Sequence, residues 1–164
     1  MNVSFAPFHD DAIDYLESGI GIDFSAGRPF RAPRWFCVTA RDDEGEIAGV
    51  IACEALSWFE FSFHSVVTDP RCVTRRLLRS VFTALFHNAV RLTAMIEPGN
   101  RRAIKNATAM GFVVEGLCRR GIDGRRDGLT FGMLKSDCKM LGGRTGKDRI
   151  TPRAPDVTRR SLHG

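Results

Sequence analysis

The sequence predicts an α/β domain with a mixed, mostly antiparallel sheet of six or seven strands and helices on both faces. Short apolar runs, several of them alternating with polar residues, recur between turns rich in Gly, Pro and Asp, which is the pattern of strands. Two longer segments, after Asp69 and after Asn100, carry apolar residues at three- and four-residue spacing, as amphipathic helices do. A chain of 164 residues is long enough for one such domain.

The first third of the chain predicts a strand within residues 1–8 and a helix over 9–18, whose start is favoured by two aspartates. Glycines and prolines then make 19–34 mostly loop. Two strands at 35–41 and 47–56 flank the turn DDEGE and predict a hairpin.

The next predicted strand, 58–67, has two chemically different faces. Its sequence WFEFSFHSVV places three phenylalanines on one side and Glu60, Ser62 and His64 on the other. An aromatic face packs against helices. A polar face on a central strand has to line a solvent-filled groove or be hydrogen-bonded.

Two helices and three further strands complete the prediction. The first helix, 68–88, has Asp69 as N-cap and Pro70 at the first helical position. The second helix begins after Asn100, whose side chain can accept from an amide of the first turn, and ends at Gly111, which can take the left-handed conformation. The remaining elements are strands at 90–96, 112–122 and 128–135 and a helical turn within 136–141.

Residues 90–116, VRLTAMIEPGNRRAIKNATAMGFVVEG, resemble the second conserved block of the GNAT superfamily of N-acetyltransferases, particularly its RimJ/RimL-like (ribosomal-protein acetyltransferase) branch. GEIAGVIACEAL, with Gly49 as its small residue, and the closing run from EGLCRRGI to FGML are similar to further parts of that family. The resemblance covers roughly 35–141. It implies a GNAT-like sheet, acetyl-coenzyme A as co-substrate and a primary amine as acceptor, either a small molecule or a protein N-terminus or lysine.

In the family, the strand that corresponds to 58–67 lines the site of acetyl transfer. The resemblance therefore makes Glu60 and His64 candidates for the general base, because an imidazole titrates near neutrality and a desolvated carboxylate can be shifted there. A solvated strand face explains either residue as well, and Glu54 on the neighbouring strand is a third candidate. A bulge near the end of the family's strand frees amides that bind the pantetheine arm, which implies Ser65, Val66 and Val67 here.

The family's pyrophosphate-binding loop is degenerate in this sequence. Its Arg or Gln and its two small residues correspond to Asp69, Cys72 and Thr74, so the glycines that normally let phosphates approach the helix N-terminus are missing. Arg71, Arg75 and the Thr74 hydroxyl can still donate hydrogen bonds to phosphates. The alternative interpretation is that Arg71 and Arg75 lie on a solvent-exposed helix face and bind no phosphate.

Asn100 bonds the coenzyme arm in the family, although its function as a helix cap is sufficient to explain it. A tyrosine that protonates the leaving thiolate in many members is replaced by Ala107. Water or Ser65 is left as the proton donor. The residues assigned to coenzyme A are thus Ser65, Val66, Val67, Arg71, Thr74, Arg75 and Asn100.

Composition bounds the remaining possibilities. The chain lacks a membrane-length apolar run and a secretory pattern, which predicts a cytoplasmic protein. Its five widely spaced cysteines suit free thiols, and no spacing indicates a metal site. Residues 1–141 form the predicted domain. Residues 142–164 hold six of the 24 basic side chains and two of the 19 acidic ones, which predicts a basic, disordered tail.

Two other functions fit the same sequence. The missing glycines and tyrosine suit a catalytically inactive acyl-coenzyme A-binding or structural protein that kept the fold. The basic tail suits a nucleic-acid-associated module, but the near-neutral charge of the domain argues against it. The predicted partner is an amine acceptor. No membrane association is predicted, and the sequence is compatible with a homodimer.

Overall fold

The computed structural model describes residues 2–6, 10–21 and 35–142. Its strands are β1 (Asn2–Ala6), β2 (Trp35–Arg41), β3 (Ile47–Ala55), β4 (Glu60–Val67), β5 (Arg91–Ile96), β6 (Val113–Cys118) and β7 (Gly128–Leu134). Its helices are α1 (Asp10–Ile20), α2 (Arg75–Asn88) and α3 (Arg101–Met110), and short 3-10 turns lie at Pro70–Cys72, Lys135–Asp137 and Lys139–Leu141. Most of the predicted loop over 19–34 and of the predicted tail lies outside the described residues, so both stay predictions.

The seven strands of the described residues form one sheet in the order β1-β2-β3-β4-β5-β7-β6. Every neighbouring pair is antiparallel except β4 and β5, which run parallel. The predicted mixed, mostly antiparallel sheet is therefore confirmed. The single parallel pair lies in the middle of the sheet, and a helix follows each of its two strands.

The helices cover both faces of the sheet, as predicted. On one face α1 buries Ala12 and Leu16 against β2 and β3. On the other face α2 and α3 enclose the main core, where the ring of Phe63 lies 5.6 Å from that of Phe82 and 5.7 Å from that of Phe112. Phe61 and Phe63 of β4 thus pack in this core, and the polar face of the strand turns toward the α1 side. Phe59, which the prediction placed on the same face, precedes β4 and is 57% exposed.

Local chemistry determines both ends of α3. The Asn100 side chain accepts a hydrogen bond of 3.0 Å from the amide of Ala103. Gly111 closes the helix in the left-handed conformation with φ 119°, where a side chain would be strained. Phe112 follows and is 2% exposed. Both predicted caps are confirmed. They could be predicted because each depends only on residues within one turn.

The predicted helix over 68–88 was too long at its start. Asp69 caps only the 3-10 turn Pro70–Cys72, and α2 begins at Arg75. Val73 interrupts the helix with φ −91° and ψ 74°. Thr74 then caps α2 by accepting from the amide of Leu77 at 3.1 Å. Two capping side chains in succession each start a turn of their own, and the second one defines the helix.

Two predicted strands were also too long. β4 begins at Glu60 because the Glu60 carbonyl accepts from the amides of Leu56 and Ser57, which closes a tight turn. Trp58 lies in that turn and is 96% exposed. β6 ends at Cys118, and Arg120 then takes a left-handed φ of 55° in the turn that leads to β7.

Candidate active site

The parallel strands β4 and β5 pair at only three positions. Glu60 pairs with Arg91, Phe61 with Leu92 and Ser62 with Thr93.

β4 stays paired with β3 up to Val67, and β5 stays paired with β7 up to Ile96. Each strand is therefore held on its outer side while the two separate from each other after Ser62 and Thr93. We call the space between residues 63–67 of β4 and 94–96 of β5 the crevice.

Backbone groups of β4 point into this crevice at alternate residues. The carbonyl of Phe59 accepts from the amide of Arg91, so odd-numbered residues turn their backbone groups toward β5. Ser65 and Val67 consequently present their N–H groups to the crevice, whereas Val66 turns toward β3. The predicted bulge is wrong, because β4 keeps a continuous register with β3 through this stretch. Separation of the strands, and not a bulge, leaves these amides available.

The two base candidates lie on the same face but in different surroundings. Glu60 belongs to the paired part of β4, where its Oε1 accepts from Arg91 Nε at 3.2 Å and from the hydroxyl of Thr93. His64 lies beyond the last pair, beside the crevice. Its Nε2 lies 3.2 Å from Ser62 Oγ. The structure thus brings His64 to the crevice and leaves Glu60 in an ion pair at its closed end.

Ser62 was not among the sequence candidates. Its side chain is buried, and its Oγ accepts from the backbone N–H of Glu54 at 3.3 Å while it contacts His64. Glu54, the third base candidate, is 7% exposed and pairs with Ser62 across the two strands. Because Ser62 lies two residues from His64 on one strand face, the alternation of β4 contains the signal that would have identified it.

Arg71 is held by a carboxylate in the loop between β4 and α2. Its Nε and Nη2 donate to Asp69 Oδ2 at 2.9 and 2.7 Å, and its side chain is 86% exposed. These hydrogen bonds lower the pKa of Asp69 below its usual range. The predicted phosphate ligand is therefore neutralised by its neighbour in this conformation.

Cys72 points into the protein rather than out of the loop. It is 2% exposed, and its Sγ lies 3.6 Å from the carbonyl oxygen of Ala48. A Cβ on Gly49 would lie 2.8 Å from that sulfur, so the small residue of β3 provides the space for this side chain. The Cys72 side chain therefore does not block the outer surface of the loop.

Positive charge is concentrated where the crevice opens. α2 follows β4 and α3 follows β5. Because these strands are parallel, both helix N-termini lie near the carboxyl ends of the two strands. Neither first turn contains an acidic residue. Exposed arginines occupy both turns, namely Arg75, Arg76, Arg101 and Arg102. Cations are unfavourable at a helix N-terminus, so this arrangement raises the positive potential that an anion would neutralise.

Within the described ranges, no three His, Cys, Asp or Glu side chains come together in a way that could hold a metal ion. All five cysteines are free, as predicted, and four of them are buried. No described helix combines the length and the apolar character needed to span a membrane.

Comparisons with known proteins identify the fold. No protein-family model and no curated protein matches this sequence. Among solved structures, a mutant spermidine/spermine N-acetyltransferase of Vibrio cholerae superposes with a TM-score of 0.62 at 14% identity, over 86% of this chain and 98% of that one. The spermidine N-acetyltransferase of Vibrio cholerae, solved with CoA and spermine, gives a TM-score of 0.59 at 13% identity, over 82% and 96% of the two chains.

A third neighbour is a candidate phosphinothricin N-acetyltransferase, with a TM-score of 0.58 at 16% identity, over 81% of this chain and 98% of that one. These structures are GNAT-fold N-acetyltransferases, so the chain has the GNAT-like fold that its sequence predicts. Identities this low show the fold alone. The RimJ/RimL-like branch stays a prediction.

Proposed function

We propose that this protein transfers an acetyl group from acetyl-coenzyme A to a primary amine. The separation of β4 and β5 immediately after Ser62 and Thr93 carries the proposal. It provides a narrow opening in the middle of the sheet, lined by backbone amides on one strand and adjoining an imidazole. A solved neighbour of the same fold contains CoA together with an amine, spermine, which supports this donor and this kind of acceptor.

The donor would lie with its pantetheine arm in the crevice and its phosphates at the helix N-termini. The amides of Ser65 and Val67 would bind the arm. The amide of Val66 would not bind it, because the backbone groups of Val66 turn toward β3. Thr74 and Arg75 are available to the phosphates at the start of α2, and Asn100 marks the start of α3. Arg71 would contribute only after it releases Asp69.

The reaction is direct attack of the amine on the thioester carbonyl carbon. The carbon–nitrogen bond forms first, and the resulting oxyanion accepts a hydrogen bond from the Ser65 amide, an interaction typically worth about 10²–10³ in rate. The carbon–sulfur bond then breaks and the electron pair leaves on the coenzyme A thiolate. Holding the two reactants together in one crevice supplies a further large part of the rate.

His64 is the better candidate for the base that accepts the ammonium proton. It adjoins the crevice, and Ser62 orients its ring at 3.2 Å. Glu60 is hydrogen-bonded to Arg91 and Thr93 in the closed part of the sheet, which suits a structural ion pair. The thiolate would be protonated by water or by the Ser65 hydroxyl.

A second candidate function is acyl-coenzyme A binding without turnover. The Asp69–Arg71 ion pair favours it, because it places a carboxylate where the phosphates would bind. Ala107 also favours it, since it is 4% exposed and lacks the hydroxyl that the family's tyrosine supplies.

Calorimetric titration with acetyl-coenzyme A, followed by turnover on a panel of amines, tests the proposal. The panel contains spermidine, free lysine and peptides with free N-termini. We expect binding and turnover, a loss of about 10²–10⁴ in kcat for His64→Gln, and a smaller loss for Glu60→Gln. Binding without turnover on any amine would support the second candidate, and absence of binding would refute both.

A further inference from the structure

Arg91 connects three strands at the closed end of the crevice. It is the first residue of β5 and pairs with Glu60 of β4, to which its Nε donates at 3.2 Å. Its Nη1 donates to Glu115 Oε1 of β6 at 2.7 Å, and its Nη2 donates to the other oxygen of the same carboxylate. One guanidinium therefore links the central parallel pair to the edge strand.

This link crosses a strand that lies between its two ends. β7 separates β5 from β6, and Gly132 of β7 lies beneath the ion pair. A Cβ on Gly132 would lie 2.2 Å from Glu115 Oε1 and 2.7 Å from Arg91 Nη1. The bidentate pair can lie flat across the sheet only because this position has no side chain.

The same network reaches the last pair before the strands separate. Arg91 Nε lies 3.2 Å from the hydroxyl oxygen of Thr93, and that hydroxyl donates to Glu60 Oε1. Thr93 is paired with Ser62, whose Oγ contacts His64. The side-chain network therefore includes Glu60, Arg91 and Thr93, and the backbone partner of Thr93 is Ser62, which contacts the proposed base.

Stability alone is a weak explanation for this network. The Arg91 and Glu115 side chains are 28% and 41% exposed, and partly exposed ion pairs usually stabilise proteins little. β6 is an edge strand exposed from Val113 to Leu117, so the pair anchors no buried core there. Hydrogen bonds from Arg91 lower the pKa of Glu115, which keeps the pair charged at neutral pH.

We propose that Arg91 is a positioning residue for the acetyl transfer proposed above, on which this inference rests. By holding Glu60, Thr93 and Glu115 together, it fixes the point at which β4 and β5 separate. That point determines where Ser62 and His64 stand relative to the amide of Ser65. Glu115 and Gly132 belong to the same arrangement. Glu115 supplies the second carboxylate, and Gly132 leaves room for the ion pair to cross β7.

The test compares Arg91→Ala and Gly132→Ala with Arg41→Ala. Arg41 is a matched control because it also lies on a strand and pairs with a carboxylate, Asp11 of α1, away from the crevice. Turnover, the Kd of coenzyme A by calorimetry and thermal unfolding are measured for each. We expect kcat to fall at least about tenfold for the first two variants while the Kd changes less than about twofold, and no change for Arg41→Ala.

Added guanidinium ion should restore at least part of the kcat of Arg91→Ala, whereas sodium at the same ionic strength should not. Arg91→Lys should not restore it, because one ammonium cannot bridge two carboxylates in the geometry of a guanidinium. Unchanged kcat in both variants, or equal losses of kcat, coenzyme A affinity and thermal stability, would overturn the inference while leaving the proposed function standing. Absence of turnover by the wild-type protein would overturn both.

Discussion

Ser62 and Thr93 are the last residues at which the parallel strands β4 and β5 pair. Beyond them the sheet is held on both outer sides but open in the middle, because β4 stays paired with β3 and β5 stays paired with β7. An opening at the carboxyl ends of two parallel strands, flanked by two helix N-termini, is a favourable place for an anionic ligand. The proposed function depends on this separation more than on any single side chain.

The first prediction concerns the amide of Ser65. Ser65→Pro removes an N–H that faces the crevice and leaves the pairing with β3 intact, since proline is tolerated where a strand's N–H has no partner strand. We expect kcat to fall about 10²–10³-fold through loss of an oxyanion donor. Steady-state kinetics on the best amine of the panel measures it.

Ser65→Ala is the control, because it keeps the amide and removes only the hydroxyl. It should retain kcat within about threefold if water protonates the thiolate, and it should lose more if the hydroxyl does so. Full activity in Ser65→Pro, with its fold verified by thermal unfolding, would contradict the assignment of this amide.

The second prediction concerns the ion pair between Asp69 and Arg71. Asp69→Asn removes the carboxylate that holds the Arg71 guanidinium and frees it for a phosphate. We expect coenzyme A to bind about fivefold more tightly, with a steeper dependence on salt. Glu44→Gln is the matched control, since it removes a nearby charge that interacts with Arg71 without a hydrogen bond.

Acidification should not imitate Asp69→Asn. The hydrogen bonds from Arg71 lower the pKa of Asp69, so the carboxylate is still charged at the pH where an ordinary aspartate titrates, and the pair is lost only at lower pH. Coenzyme A affinity should consequently show no effect of Asp69 between pH 5 and 8. An unchanged Kd in Asp69→Asn would show that Arg71 does not contact the ligand.

The third prediction concerns the start of α2. Thr74→Ala removes the oxygen that accepts from the amide of Leu77, and loss of such a cap typically costs about 1 kcal/mol. Thr74→Ser keeps the oxygen and should be nearly neutral. Urea unfolding of both variants measures the difference in the free energy of unfolding, and equal stabilities would contradict Thr74 as the cap.

Features that depend on local interactions could be predicted from the sequence. Asn100 and Gly111 could be predicted as helix caps because each acts within one turn. The alternation over 58–67 likewise predicted that Phe63 faces the core and His64 the opposite side. The resemblance to GNAT enzymes implied the mixed, mostly antiparallel sheet, which the structure has.

Contacts between residues that are distant along the chain could not be predicted from the sequence. Arg91 and Glu115 are 24 residues apart, and no local pattern indicates that they meet over Gly132. The start of α2 was placed at Asp69 because the Asp-Pro pair is a strong start signal, and it concealed the second cap at Thr74. Whether a strand stays paired along its length depends on both neighbours, so the residues at which β4 and β5 separate, Ser62 and Thr93, could not be predicted from β4 alone.

The fourth prediction concerns Asp123 in the turn between β6 and β7. Its carboxylate accepts from the amides of Arg125 and Arg126 and from the Arg126 guanidinium, which lowers its pKa to about 2. A lowered pKa means that Asp123 stabilises the folded protein above about pH 4 and that this contribution is lost as the pH falls toward 2. An NMR titration of the carboxyl group should show a midpoint near the lower value, and a midpoint near 4 would contradict these bonds.

The last prediction concerns the contact between Gly49 and Cys72. Gly49→Ala places a methyl group 2.8 Å from the Cys72 sulfur, and overpacking of this kind typically costs about 1–3 kcal/mol. Because Cys72 belongs to the 3-10 turn that precedes α2, the displaced loop should also weaken coenzyme A binding.

Adding Cys72→Ala removes the sulfur, so the double variant should be more stable than the sum of the two single effects predicts, and its coenzyme A affinity should recover. Urea unfolding and calorimetry of the four proteins in this cycle measure both quantities. Additive effects on stability would mean that the methyl group is accommodated elsewhere, and an unchanged affinity in Gly49→Ala would mean that the turn does not position the phosphates.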